Sequence, residues 1–314
     1  MSAKSVNKSA MNATSFAETF SAGLVLPSEI DPRFAEALRH VLDHPGSLVR
    51  PRMVLLVASA YGLEDSAAQD LAVALEYFHT ASLIFDDLPC MDNAMERRGV
   101  PCVHFKYGEA EAILSALALI NRAYALIWRG VYTASPESQR CAMVYIEQLL
   151  GVHGLLNGQS LDLHFATMPH NRKTTERIAR GKTVSLIRLT LVLPAILGGA
   201  SARELQLLER IALYWGLAYQ MTDDLKDILD SQAKAGKTVA RDLLLDRPNA
   251  ASVMGIPAAI ERLIRFIDLG DRSLARLLQV RLGLSFLSKL RSSLEEELVR
   301  ITGSLREMSL GARS

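Results

Sequence analysis

Two clusters of aspartate carry the chemistry this sequence can offer. The first reads Asp86-Asp87-Leu88-Pro89-Cys90-Met91-Asp92, the second Asp223-Asp224-Leu225-Lys226-Asp227. Each closes an apolar helical run, and each has arginine or lysine downstream. Carboxylates packed together repel one another and are costly to desolvate unless cations neutralise them. Hard divalent cations take oxygen ligands, and Mg²⁺ commonly shares them with phosphate oxygens. Two carboxylate clusters with basic side chains beside them therefore point to metal ions gripping a diphosphate. The chemistry that suits is departure of a diphosphate leaving group.

Spacing sets how the carboxylates meet. Asp223 and Asp227 are four apart, so a helix projects them from one face, about one turn apart. Asp224 is rotated by roughly 100° and is placed to act through another ligand or a water. Asp86 and Asp92 are six apart, which a continuous helix would splay around its barrel. Pro89 resolves this, because it favours ending or bending the helix before it and lets Asp92 fold back. Either motif alone reads equally well as a solvated helix end; the two together favour the metal.

The elements that must position these groups are helices. Apolar residues recur at three- and four-residue spacing, and alternating strand patterns are almost absent. Helices are expected over 30–43, 50–62, 65–86, 108–132, 136–156, 173–182, 184–198, 202–230, 257–268 and 272–307. Those at 65–86, 108–132 and 202–230 are apolar nearly all round, which marks them as central in a large bundle. No composition shift or repeat of 20–50 residues divides the chain. The expectation is one all-α domain over residues 17–314, preceded by a disordered tail of residues 1–16.

Composition narrows the function classes. The 35 basic residues nearly cancel the 34 acidic ones, so wholesale nucleic-acid binding is not expected. With 49% hydrophobic residues the chain can bury a sizeable core. Cys90, Cys102 and Cys141 match no metal-ligand spacing and no even disulfide framework. They read as thiols in a reducing compartment, the cytoplasm. The best membrane-span candidate, 186–200, contains Arg188 and Pro194 and is too short, so no span is expected.

The run Glu76-Tyr-Phe-His79-Thr-Ala-Ser-Leu-Ile-Phe-Asp86-Asp87, continued through Asp92, Arg97-Arg98-Gly99 and Phe105 to Leu114, resembles the first aspartate-rich region of the trans-polyprenyl diphosphate synthases. Gly158-Gln159 with Asp162, Lys182-Thr183, Gln220 to Asp227 and Gly236-Lys237 follow in that family's order. The likeness covers roughly residues 30–255, and the long first motif is similar to farnesyl and geranylgeranyl diphosphate synthases of the bacterial and plant type. It implies a single large antiparallel α-helical bundle of the isoprenoid synthase type around a central apolar tunnel. It also implies a homodimer and three Mg²⁺ ions bound by Asp86, Asp92 and Asp223, with Asp87, Asp224 and Asp227 assisting. Arg97, Lys182, Thr183, Gln220 and Lys237 would hold the allylic diphosphate, and Arg50, His79 and Arg98 isopentenyl diphosphate.

Departures from the family pattern fall in the acceptor region. Ser47 and Leu48 stand where a lysine and an arginine are expected, although Arg50 remains. Leu117 replaces an aspartate, Phe85 a histidine, and Asp242 with Arg247-Pro248-Asn249 replaces a Lys-Ser/Thr-Tyr run. In this family the residue five before the first aspartate often sets product length. That residue is Ala81, followed by Ser82, with Tyr77 and Phe78 one turn deeper. The small side chain implies a C20 product, geranylgeranyl diphosphate.

Three functions compete. A prenyl-elongating transferase is favoured by Arg50, His79, Arg98 and the complete second motif. A class I terpene synthase or diphosphate lyase, which needs no acceptor, is favoured by Ser47 and Leu48. A non-catalytic partner subunit would lose metal ligands, and both motifs are complete. Glu76 with His79 also forms half of a di-iron Glu-x-x-His site, but no second half is present.

Overall fold

The computed structural model describes residues 13–233 and 247–311, which fall into two compact units. One comprises the chain up to Arg52 with Gln69–Gly130; the other comprises Met53–Ala68 and Val131 onward. Among the described residues, regular structure is helical apart from one two-residue hairpin. The expected all-α class is correct.

The first unit contains α1 (Ala13–Ala22), α2 (Pro32–Leu42), the start of α3 (Val49–Ala60), and most of α4 (Asp65–Asp87). The hairpin β1 (Glu96–Arg97) and β2 (Val100–Pro101), α5 (Val103–Tyr107) and most of α6 (Glu109–Tyr132) follow. Asp31 caps α2 by accepting from Phe34 N at 3.0 Å, ahead of Pro32 at the first helical position. Ala35, Leu38, Val41 and Leu42 then form its buried stripe. The end of α1 leaves carbonyls without helical partners, and two long side chains supply donors. Tyr77 Oη donates to Phe20 O at 2.6 Å and Arg122 Nε to Gly23 O at 2.6 Å. Residues 13–16, expected in the disordered tail, begin α1, and Phe16 is buried because it packs as part of that helix's apolar face.

The second unit is built on α11 (Ala202–Ala233), with α10 (Ser185–Leu197) against both α11 and α7 (Pro136–Leu150). α13 (Ile256–Leu278) and α14 (Leu287–Gly311) cover other sides of α11, and α8 (Leu155–Leu163), α9 (Arg172–Ala179) and α12 (Ala250–Met254) complete it. The helix expected at 136–156 stops at Leu150. A Cβ on Gly151 would lie 2.5 Å from Glu147 O, and one on Gly154 2.1 Å from Leu149 O, so the chain turns where only glycine fits. The break expected near 269–271 is absent. Gly270 is there to receive the indole of Trp215, which a Cβ would approach to 2.2 Å, and α13 runs through it. The separation instead falls after Leu278.

Ser201 and Glu204 form a reciprocal capping box at the start of α11. Ser201 N donates to Glu204 Oε2 at 2.9 Å and Glu204 N to Ser201 Oγ at 3.3 Å. Arg281 Nε adds a 2.8 Å bond to Glu204 Oε1. Burial works to raise the pKa of Glu204, but Arg281 and Ser201 outweigh it and hold it at about 2, against an ordinary 4.5. A depressed carboxyl pKa stabilises the fold above 4.5, and that contribution is lost as pH falls towards 2. Glu204→Gln is therefore expected to cost about 1–3 kcal/mol at pH 7 and much less at pH 3. Thermal melts at the two pH values check this; an equal loss at both would contradict it.

Among the described residues one helix, α6, is long and apolar enough to cross a membrane by length and composition alone. Within the first unit it exposes Leu114, Leu117, Tyr124 and Trp128 on spacings of three, four and seven, so they form a stripe.

Candidate active site

In the first unit α4 ends at Asp87, and the chain wraps back over its last turn. Met91 N donates to Leu88 O at 2.9 Å, Asp92 N to Asp86 O at 2.9 Å, and Ala94 N to Asp87 O at 3.1 Å. Pro89 sits in this turn, so Asp92 returns to Asp86 as its position predicts. Asn93 takes φ of 51° to make the reversal, a conformation asparagine tolerates. The Arg98-Gly99 turn between β1 and β2 also has positive φ at both residues, 56° and 77°, as two-residue hairpins require.

That hairpin delivers two arginines. Arg97 Nε lies 2.8 and 2.9 Å from the oxygens of Asp87, and its Nη2 2.6 Å from Oδ1. Burial opposes the charge on Arg97, but Asp87 more than compensates and raises its pKa. Asp87, expected to assist the metals, is buried and bound to Arg97. It fixes the guanidinium of Arg97 through Nε and Nη2.

Arg98 turns towards Glu76, with Nη2 at 3.9 Å from Oε1, and donates from Nη1 to His44 O at 3.2 Å. Its guanidinium lies against Gly46, where a Cβ would come within 2.5 Å of it. Glu76 is buried; burial raises its pKa while Arg50 and Arg98 pull it down. His79, one turn along α4, is pushed down to about 2 by burial and by Arg50, Arg98 and Arg97. At neutral pH it is an uncharged imidazole among guanidinium groups. The Nε of Arg50 is buried without a hydrogen-bond partner among the described residues. An incoming anion would satisfy it. The structure thus gathers Arg50, His79 and Arg98, the three residues expected at the acceptor diphosphate, and adds Glu76 to position them.

Ser47 is exposed and Leu48 is buried, with φ of 53°. Neither restores the missing positive charge. Deeper on α4, Ala81 is fully buried and Ser82 Oγ donates to His79 O at 2.8 Å. Tyr77 is tied to α1, whereas Phe78 meets Tyr124 of α6 edge-on at 5.0 Å.

In the second unit, α8 crosses the turn 180–184, a π-helical turn joining α9 to α10. A Cβ on Gly158 would lie 2.2 Å from Lys182 N, and one on Gly181 2.7 Å from Gly158 Cα. Glycine at both positions lets the two backbones touch. The wider turn that results presents Lys182 and Thr183 out of helical phase, a role π-turns often play at functional sites. Lys182 Nζ reaches Asp162 Oδ2 at 2.8 Å. Thr183 Oγ1 donates to Gln220 Oε1 at 2.5 Å, and Gln220 Nε2 donates to Asp224 Oδ1 at 2.9 Å.

Asp224 is buried and accepts Ala250 N on its other oxygen at 2.8 Å. Asn249 donates from Nδ2 to Asp224 O at 2.9 Å and caps α12 by accepting from Ser252 N at 2.8 Å. Asp224 therefore anchors the chain after the motif and holds Gln220; Asp223 and Asp227 remain the outward carboxylates, half-buried and exposed. The departure Arg247-Pro248-Asn249 is in part a replacement cap. An asparagine just ahead of a short helix is the signal that reveals it. Gly236, Lys237 and Asp242 lie outside the described residues.

Among the described residues, no three carboxylate, imidazole or thiol groups converge to hold a metal by themselves. Mg²⁺ does not need such a cage, since it is commonly held by one or two carboxylates completed by water and substrate phosphates. Asp86 with Asp92, and Asp223 with Asp227, are hard oxygen donors of that kind.

A helical chain with two such aspartate regions, each beside its own basic groups, has the fold of the isoprenoid synthases. Comparison with known proteins agrees. The polyprenyl synthetase family profile matches residues 31–268. Geranylgeranyl pyrophosphate synthase 10, mitochondrial, of Arabidopsis thaliana is 34% identical over 82% of this chain and 73% of its own. Farnesyl diphosphate synthase of Geobacillus stearothermophilus is 32% identical over 77% of this chain and 82% of its own. The crystal structure of geranyltransferase from Helicobacter pylori complexed with magnesium and isoprenyl diphosphate superposes with a TM-score of 0.72. It is 25% identical and covers 94% of this chain and 96% of its own. The chain spans 62–73% of the length of the plant relatives it matches. This protein belongs to the polyprenyl synthetase family.

Proposed function

We propose that the protein is a Mg²⁺-dependent prenyltransferase that joins isopentenyl diphosphate to farnesyl diphosphate and releases geranylgeranyl diphosphate. The observation that carries this reading is the Arg50, Glu76, His79 and Arg98 cluster. A lyase has no use for a second anion site, whereas here guanidinium groups and a neutral imidazole lie near a buried Arg50 Nε that has no hydrogen-bond partner among the described residues.

Asp86, Asp92 and Asp223 would hold the metal, three ions per site, with Asp227 assisting. Bound there with the diphosphate oxygens, Mg²⁺ supplies the positive charge that stabilises the leaving group. Lys182, oriented by Asp162, and Arg97, oriented by Asp87, bind the allylic diphosphate. Thr183 and Gln220 assist, and Lys237 is assigned the same role by its place in the motif. The allylic C–O bond breaks, the acceptor double bond forms the new C–C bond, and a proton leaves to the departing diphosphate. No side-chain base is required. Arg50, His79 and Arg98 meanwhile hold the acceptor.

The test is incubation with farnesyl diphosphate and Mg²⁺, with and without isopentenyl diphosphate. Consumption that requires the acceptor supports transfer; hydrocarbon or alcohol released without it identifies the lyase, which the uncharged Ser47 and Leu48 favour. For chain length, Ala81→Tyr is expected to shift products from C20 to C15, read by chromatography of the dephosphorylated alcohols. An unchanged product would remove Ala81 from the account.

Two further assignments belong to this reading. A homodimer would bury the apolar stripe of α6, and Leu114→Glu is expected to give monomers by light scattering; a monomeric wild type would contradict this. A cytoplasmic location is supported by three cysteines outside any disulfide, two of them exposed.

A further inference from the structure

A cavity of about 510 Å³ in the second unit is lined by Arg177, Arg180, Arg188, His153, Asn157 and Gln148, and by no acidic side chain. Its volume falls within the range of ordinary small-molecule sites, roughly 300–1,000 Å³. Gly158 and Gly181, which set the turn that carries Lys182, also line it, but no residue of either aspartate region does.

The charge balance around it is uneven. Arg188 is neutralised: its Nε lies 2.6 Å from Glu209 Oε2, and Tyr145 Oη donates to the other oxygen at 2.5 Å. Glu176, next to Arg177 in sequence, is bound through both oxygens by Arg262 at 2.8 and 3.0 Å. That leaves Arg177 in the last turn of α9 and Arg180 at the start of the π-helical turn, both exposed and with no ion-pair partner among the described residues. Residues three apart on a helix are neighbours on one face. Both line the cavity, whose other polar side chains are Arg188, two amides, an imidazole and the Ser185 hydroxyl.

We propose that this cavity is a second anion site, built for a small molecule bearing a phosphate or diphosphate. Two guanidinium forks offer more directed donors than one carboxylate can accept, and they match the several oxygens of a multiply charged phosphate group. The volume beyond the arginines leaves room for an organic body. The site needs no metal, which separates it from the aspartate regions, and it stands whether or not the proposed prenyl transfer is correct.

The test is calorimetric titration of the full-length protein in EDTA with inorganic diphosphate and, separately, with adenosine diphosphate. Wild type is expected to bind at least one, and the tighter of the two assigns the source as free anion or organic phosphate. Arg177→Gln/Arg180→Gln should weaken that binding on the order of tenfold or more, while Arg50→Gln/Arg98→Gln should leave it in place. Failure of both ligands to bind overturns the proposal. So does binding that survives in the first double variant and vanishes in the second. An Arg177→Gln/Arg180→Gln protein that changes assembly size, with no anion binding in wild type, would instead make these arginines a contact between chains.

Discussion

Exchanging Asp223 for asparagine is expected to lower kcat by about 10²–10³-fold while the fold is retained. Asparagine keeps the size of the side chain and removes the anionic oxygen that a hard cation requires. The structural work at this end of α11 is done by Asp224, which holds Gln220, Ala250 N and, through its carbonyl, Asn249. Asp223 can therefore lose its charge without loosening that network. The magnitude follows from removing one stabilising contact to charge that develops on the leaving group, on the order of 3–4 kcal/mol. Steady-state kinetics across a Mg²⁺ titration checks it: kcat should fall, the Mg²⁺ requirement should rise, and the melting temperature should stay near wild type. A variant with unchanged turnover would remove Asp223 from the metal assignment.

Arg98→Gln is expected to act on the other substrate. Losing one charge-assisted contact to a phosphate costs roughly 1.5–3 kcal/mol, so KM for isopentenyl diphosphate should rise about ten- to a hundredfold. KM for the allylic diphosphate should change little, because Arg97 is held by Asp87 independently of Arg98. The variant also deprives buried Glu76 of a cation, leaving Arg50 to balance it. Some loss of thermal stability should accompany the kinetic effect, and Arg98→Lys should recover part of both. Equal increases in the two KM values would mean that Arg98 supports the fold and has no particular substrate.

These two residues also show what could be read from sequence. The four-residue spacing of Asp223 and Asp227 and the proline inside the first motif were sufficient to predict one shared helical face and one folded-back loop. Periodicity likewise located the long helices expected at 65–86, 108–132 and 202–230, because a 3.6-residue repeat survives without knowledge of packing. Pairings distant in sequence were not legible. Nothing local indicates that Asp87 serves Arg97, or that Asp224 captures the backbone of Ala250, since each depends on where a later segment lands. Glycines were misread for the same reason. Gly151 and Gly154, expected within a helix, turn the chain, and the gap left at 269–271 holds Gly270, a seat for Trp215 inside a continuous helix. Gly158 and Gly181 let two backbones touch and set the turn that carries Lys182. The substitutions at Ser47 and Leu48 were visible as losses. That Arg50 and Arg98 still gather around Glu76 without them required coordinates.

The most direct test combines purified protein, Mg²⁺, farnesyl diphosphate and isotopically labelled isopentenyl diphosphate, with dephosphorylated products separated by chain length. The account predicts a labelled C20 prenyl alcohol as the main product. Consumption of farnesyl diphosphate with no label incorporated would contradict it and make the protein a diphosphate lyase on the same fold.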